Sequence, residues 1–472
     1  MKHKYIFCNF TFYDRTGIER FLEEMAANGW MFEKAGSVFW RFRAIDPKKI
    51  HFAVTYFPSA SVYDPEPSES QLMFRDFCEH TGWRHLASLS QMQIYCNEAE
   101  APVPIETDAV IECENIHKSA KKSYLPGYYT ILFSGLLLLL MTVWQILSSP
   151  AEHLANTITT MLSLLGFCQT AMGGAELIQY YLWYNKAIRS AVESGIFVET
   201  QDRHIFRTVL PVLELLLLAA MFFTLLSERS PYSSFHAGRL LAVVFSYIAA
   251  GIASVLVLTV LLKKLKTPAK INRTVTSIAF ILTGSIVLTS LTSFIIHDVN
   301  HGNLLRVSAG TYEYNGNLFS IYNDELPLYI EDLIESDYRQ YNTKLKVSSS
   351  PFASSTKAFQ QPRLDASDEP RFEYTVFDVK VPFLRSLCLN DFLNEYNTNL
   401  RDESGGIALR TYRKSDAAVW NADLAYQLKS LSNNHSYDVY LLVFGSRIIK
   451  FEADFHIDDN MKKVITEKLS EY

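Results

Sequence analysis

The chain has no Cys-x-x-Cys pair, no glycine-rich phosphate loop and no dinucleotide fingerprint, which removes the common redox, zinc and nucleotide readings. Cysteine itself is sparse. Of six in 472 residues, Cys388 stands alone in the last third, so that segment cannot close an internal disulfide and must rely on a packed core. Nor does one sign of charge dominate. The 44 Lys and Arg against 50 Asp and Glu leave a net −6, which gives no general attraction for nucleic acid.

Charge is nearly absent from five apolar stretches: Tyr128–Leu147, Ala155–Trp183, Ile205–Leu226, Leu240–Leu262 and Val275–Ile296. Each is long enough to carry a helix across roughly 30 Å of hydrocarbon at about 1.5 Å per residue. Lys118, Lys121 and Lys122 precede the first stretch. Lys186, Arg189, Arg203 and Arg207 lie around the join of the second and third, and Lys263, Lys264, Lys266, Lys270 and Arg273 join the fourth to the fifth. The alternate loops, Ser148–Leu154 and Ser227–Arg239, hold only Arg229 and Arg239. The positive-inside rule then predicts a multi-pass protein of the cell membrane, with residues 1–125 cytoplasmic and residues 297–472 outside. The N-terminus opens into Tyr5-Ile6-Phe7 without a charged and then apolar leader, so the first span is expected to act as an uncleaved insertion signal.

Residues 1–98 read as a cytoplasmic α+β domain in two similar halves. A strand over 4–10 precedes a helix N-capped by Asp14, with Ile18, Phe21, Leu22 and Met25 on one face, ended by Asn28-Gly29-Trp30. Strands over Val38–Ala44 and Ile50–Tyr56 follow, joined around Asp46-Pro47. A second helix over Glu69–His80 then ends at Thr81-Gly82-Trp83 before short strands at Arg84–Leu89 and Met92–Cys96. The order β-α-β-β-α-β predicts a ferredoxin-like sandwich with Trp30, Trp40 and Trp83 as core anchors. Residues 99–125 are expected as a linker, 126–296 as five transmembrane helices and 297–310 as a second linker.

The runs Phe21–Trp30 and Phe77–Trp83, with the strand pair between them, resemble the domain of unknown function 2812 family over about the first 100 residues. Members of that family often continue into several membrane spans and are commonly encoded near transcriptional regulators of the PadR type. The resemblance implies a bacterial, membrane-associated, regulatory setting. It supplies no activity and no functional residues to carry over.

Residues 311–472 are expected to form an extracytoplasmic α+β domain. Asn315-Gly316 between two alternating runs predicts a type I′ hairpin. Ser348–Pro370 reads as a mobile loop, Phe372–Val379 as a strand, and Leu384–Tyr396 and Val419–Leu428 as helices. Tyr437–Phe444 and Ile448–Phe455 form a hairpin, followed by a last helix presenting Met461, Val464, Ile465 and Leu469. Tyr312, Tyr314, Tyr322, Tyr329, Tyr338 and Tyr341 suit either a core or a ligand-binding surface, and core is the simpler reading.

Chemistry-bearing residues are few. His297 and His301 share helical i, i+4 spacing suited to zinc, but the glutamate of a metalloprotease helix is missing, so no metal is expected. Ser354 and Lys357 have Ser-x-x-Lys spacing without the companion motifs of acyl-serine enzymes. Arg41 and Arg43 alternate with aromatics, yet two arginines on a solvent-facing strand explain them without nucleic acid. Glu176 and Glu214 are the exceptions within the membrane stretches. They are either a protonatable or cation-binding pair or neutral hydrogen-bonding groups. Ala242, Ser246, Ala250 and Ser254 form a small-residue seam.

The expected function is therefore regulatory or sensory, with an external domain coupled through the bundle to a cytoplasmic interaction domain. The alternative is a transporter or accessory subunit using Glu176 and Glu214, helped by the helix-weakening Gly173-Gly174 and Pro211; a membrane-bound enzyme ranks third, and no catalytic residue or cofactor is expected. Expected partners are the lipid bilayer, a protein at the cytoplasmic domain, and an external ligand or envelope protein. The oligomeric state stays open.

Overall fold

A computed structural model describes residues 2–36, 39–61, 63–200, 204–227, 236–300, 309–396, 400–401, 407–408, 410–431 and 433–472. The protein is mixed α+β and divides into two compact units. Met1–Leu137, Leu165–Leu218 and Ala242–Phe294 make the first, and Leu138–Leu164, Ala219–Leu241 and Ile295–Tyr472 the second.

The first unit opens with β1 (His3–Phe7), α1 (Arg15–Ala27), β2 (Trp30–Lys34) and β3 (Phe39–Ala44), then β4 (His51–Tyr56), α2 (Glu69–His80), β5 (Arg84–Leu89) and β6 (Met92–Asn97). Asp14 caps α1 by accepting from Gly17 N–H at 3.2 Å, and Ser68 caps α2 by accepting from Gln71 N–H at 3.3 Å. Both helices end at a glycine of positive φ, Gly29 at 83° and Gly82 at 86°, a conformation that costs a residue with a Cβ.

The expected ferredoxin-like sandwich needs one sheet with paired central strands, and the strands pair otherwise. Antiparallel sheets β1-β3-β2 and β4-β6-β5 form instead. Each half is a β-α-β-β unit whose first strand pairs with its last. The chain between β3 and β4 is thus a connection between units and not a hairpin. Val38, assigned to this strand from sequence, lies outside the described residues. Helix α1 packs on β4 of the following unit and knits the two halves together. The core contains Ile18, Leu22, Phe42, Val54 and Ile94, all 1 % exposed or less. Trp40 and Trp83 are buried, whereas Trp30 is only half-buried, with the Lys4 ammonium 5.3 Å from its ring.

The expected linker after residue 98 is largely helix. Asp108 caps α3 (Ala109–Ser119), which buries Cys113 and Ile116 in the same core. A π-helical turn, Ala120–Tyr124, in which Leu125 N–H reaches the Ala120 carbonyl, joins it without a break to α4 (Leu125–Ser148). The remaining apolar stretches are also helical: α5 (Pro150–Ala155) leads into α6 (Thr157–Ser194), and α7 (His204–Ser227), α8 (His236–Lys264) and α9 (Ala269–Asn300) follow. Among the described residues, two helical segments are long and apolar enough to cross a membrane, Ala109–Ser148 and Thr157–Ser194. Gly173-Gly174 does not interrupt α6, nor Pro211 α7. Gly173 instead faces Leu132 and Gly135 faces Thr170, each so closely that an added Cβ would lie under 3.0 Å from a neighbouring backbone nitrogen.

In the second unit β7 (Gly310–Tyr314) and β8 (Asn317–Ile321) form the Asn315-Gly316 hairpin, with φ of 51° and 78° at the turn. Strands β9 (Tyr341–Ser349), β10 (Ala353–Pro362) and β11 (Phe372–Val379) precede α10 (Arg385–Asn394). Short β12 (Leu400–Arg401) pairs with β13 (Ile407–Ala408), and β14 (Arg410–Ser415), β15 (Leu424–Ser430), β16 (Ser436–Phe444), β17 (Arg447–Ala453) and α11 (Asp459–Glu471) complete the chain. Seven strands build one antiparallel sheet in the order β14-β15-β16-β17-β11-β10-β9. The expected mobile loop over Ser348–Pro370 therefore contains β10, and the expected helix over Val419–Leu428 is a short turn followed by β15. One sheet face is covered by residues 326–334 and α11, with Phe372, Leu442 and Ile465 fully buried. The other lies under α10 and α5, which bring Leu154 and Cys388 onto Phe377 and Leu441.

Candidate functional site

The π-helical turn sets Tyr124 at a junction between the N-terminal domain and the apolar helices. Its hydroxyl donates to the Glu176 carboxylate on α6. Phe12, just before α1, stacks on the Tyr124 ring at 5.6 Å and 22°. Tyr13 meets Tyr124 and Tyr180 edge-on at 5.9 and 5.2 Å and lies tilted by 30° against Trp183 at 4.7 Å. These distances are those of favourable aromatic pairs, and the cluster is part of the domain core. Tyr56 extends it by donating its hydroxyl to the Phe12 carbonyl, and burial pushes that phenol well above its ordinary pKa, so it remains a donor.

The segment after α6 returns to the same domain. Trp183 Nε1 donates to the Val198 carbonyl at 3.2 Å, Thr200 donates to Asp14, and Arg20 pairs with Glu199 at 3.1 Å. Lys122 gathers the carbonyls of Pro58, Ser59 and Ala60 at 3.2, 2.9 and 2.9 Å. From the first turn of α9 the fully buried Asn272 donates to the Tyr63 carbonyl at 3.1 Å, and from the turn between α8 and α9 Lys266 reaches Glu66 at 2.8 Å. The arrangement fastens the domain to helix ends.

Of the residues singled out from sequence, Glu176 is buried inside this junction. Glu214, half-buried on α7, has one carboxylate oxygen enclosed without a hydrogen-bond partner. The thiol within electrostatic reach of Glu214 is Cys168, eight residues before Glu176 on α6 and so about 12 Å away along the helix. His297 lies near the end of α9, and its side chain and all of His301 fall outside the described residues. Ser354 and Lys357 stand three apart on β10 and so face opposite sides of the sheet, which removes the Ser-x-x-Lys reading. Arg41 pairs with Glu33 at 2.9 Å. Of the six tyrosines, Tyr341 is in the core and Tyr329 packs against it, while the Tyr338 side chain lies outside the described residues.

Sequence reasoning missed Tyr13, Tyr124, Tyr180 and Asn272. Tyr124 with Tyr128 and Tyr180-Tyr181 with Trp183 are an interfacial aromatic pattern that could have marked the junction. Residues 14–127 match the family described as Protein of unknown function (DUF2812). The DUF2812 region thus runs from the Asp14 cap past Tyr124 and includes the π-helical turn. No curated protein matches the chain, and no solved structure does.

Proposed function

We propose that this is a multi-pass membrane protein of regulatory or sensory role, in which the DUF2812 domain, on the cytoplasmic side, reports the state of the helices to a protein partner. The carrying observation is the Tyr124–Glu176 contact inside the aromatic junction, because it joins the domain core directly to α4 and α6. Large apolar side chains exposed along the helices support placement in lipid: Phe133 is 68 % exposed and Trp144 74 %, which water would penalise. The basic loops also support the orientation, since Lys122 and Lys266 both contact the DUF2812 domain. The opposite loop, α5, packs on the seven-stranded sheet, in keeping with an external place for residues 309–472 and for a ligand or envelope protein they would meet. In sealed inside-out vesicles, protease should cut the 57–66 loop and spare residues 309–472; cleavage of both or neither refutes the orientation. An antibody fragment bound to residues 309–472 should alter amide exchange at 109–124, and an unchanged pattern refutes the coupling.

A second reading, a transporter or accessory subunit, has the enclosed and unpartnered carboxylate oxygen of Glu214 in its favour. Replacing Glu176 and Glu214 together with Gln would abolish a proton- or cation-dependent flux while leaving a purely regulatory protein active.

A further inference from the structure

A cavity of about 240 Å³ opens within the DUF2812 domain beside the unpaired edge of β4. Glu19 and Glu23 reach into it from α1, Glu106 from the chain before α3, Thr55 from β4, and Trp83 forms one wall. Glu19 accepts from Val54 N–H at 2.8 Å and Glu23 from Phe52 N–H at 3.4 Å, so both carboxylates are fixed by strand backbone. Arg15 is the one Lys or Arg among the described lining residues. It is already engaged, 3.1 Å from Glu19, in contact with Glu112, and over the Phe197 ring at 5.0 Å. The guanidinium is thus occupied by Glu19 and Glu112, while Glu23 and Glu106 stand beside it in the lining. His51 adds one titratable group at 3.4 Å from Glu23.

Two further observations point to a ligand. Thr55 is 4 % exposed, and its hydroxyl oxygen is enclosed without a hydrogen-bond partner in a wall of this cavity. The Trp83 indole nitrogen is occupied by the Val103 carbonyl at 2.8 Å, which fixes the ring in the wall. Among the described residues no cluster of three or more metal-ligating side chains is placed to hold a metal ion. A cavity below the roughly 300 Å³ at which drug-sized pockets begin favours something small.

We propose that this cavity binds an organic cation, an ammonium or guanidinium head group, held by Glu19, Glu23 and Glu106, hydrogen-bonded to Thr55 and backed by Trp83. Excess half-buried carboxylate is costly until a cation compensates it, and an indole wall adds cation–π attraction. The same head group can come from a free amine or from a Lys or Arg side chain of another protein. The cavity lies wholly within residues 15–106, so the inference stands or falls independently of the membrane reading.

The test is calorimetric titration of the full chain in detergent at pH 8 and low salt, with agmatine and with the tripeptide Gly-Arg-Gly. Agmatine should bind one per chain, about tenfold or more weakly in Glu106→Gln and Glu23→Gln, each of which removes a charge-assisted contact, and several-fold more weakly in Thr55→Val. Binding of Gly-Arg-Gly without agmatine would assign the head group to a protein side chain and still support the site. No heat with either probe in folded wild type overturns the proposal, and so does binding undiminished in both Glu variants. Circular dichroism checks each fold; should Glu106→Gln fail it, Glu23→Gln and Thr55→Val decide.

Discussion

Tyr124 and Glu176, 52 residues apart, meet through a hydroxyl-to-carboxylate hydrogen bond that ties the end of the DUF2812 core to the second long apolar helix. Taking a donor away from a buried carboxylate removes part of what compensates its lost water. Tyr124→Phe should therefore lower the stability of the full chain by about 1–3 kcal/mol, whereas Glu176→Gln, which keeps an acceptor oxygen, should cost less. Thermal unfolding in detergent measures both. Equal, negligible shifts would show the contact to be incidental.

The two tryptophans that follow the helix-ending glycines are not equivalent. Trp83 is 4 % exposed and bonded through its indole nitrogen, while Trp30 is half-buried. Trp83→Ala should cost about 3–5 kcal/mol and Trp30→Ala less than half of that. Denaturant unfolding would contradict this ranking if Trp30→Ala proved the more harmful.

Stability should fall as pH rises from about 4.5 to about 7. Burial pushes Glu106 from 4.5 up to about 7, against the opposing pull of Arg15 and an Asn115 hydrogen bond. Between those values the folded chain holds a proton that the unfolded chain has lost, so folding weakens with each step upward in pH. At pH 8 the full shift amounts to about 3 kcal/mol. Glu19, raised chiefly by burial, acts in the same direction. Glu106→Gln should melt at a higher temperature than wild type at pH 8 and lose much of the wild-type decline between pH 5.5 and 8. A wild type that grows more stable over that range would contradict the assignment.

Helix α5 depends on a distant residue for its start. Ser149 makes no side-chain cap, and Asp391 of α10 accepts from Ala151 N–H at 2.8 Å. Asp391→Ala should cost about 1–2 kcal/mol, as loss of a cap does, and speed amide exchange over residues 150–155. Unchanged exchange there would show that the apolar contact of Leu154 suffices alone.

Local signals were legible where one residue type dictates one conformation. The Asp14 cap, the glycine stops at Gly29 and Gly82, and the Asn315-Gly316 turn all stand where the sequence places them. Pairing was not legible, because β3 and β4 both present apolar residues that suit either partner. β15 resembled a helix for a physical reason. An irregularity between Gln427 and Lys429 resets the alternation, so Ala425 and Leu428, three apart, are both buried. β10 was hidden by its small and polar inward residues, Ala353, Ser355, Ala358 and Gln360. The candidate cavity escaped because its carboxylates are scattered from Glu19 to Glu106 and converge only once α1 crosses onto β4.

The π-helical turn at Ala120–Tyr124 also acts as a phase setter. An α-helix advances each residue by about 100° of rotation, and a π turn absorbs one residue beyond the regular repeat. Because the wider turn takes up that residue locally, Cys113 and Ile116 on one side of it and Tyr124 on the other keep nearly the bearings they would have in a continuous α-helix one residue shorter. Shortening the stretch by one residue would restore ordinary winding and nearly keep the bearings on either side, whereas lengthening it by one more would swing everything before it by about 100°, so the turn tolerates a change of chain length in one direction only.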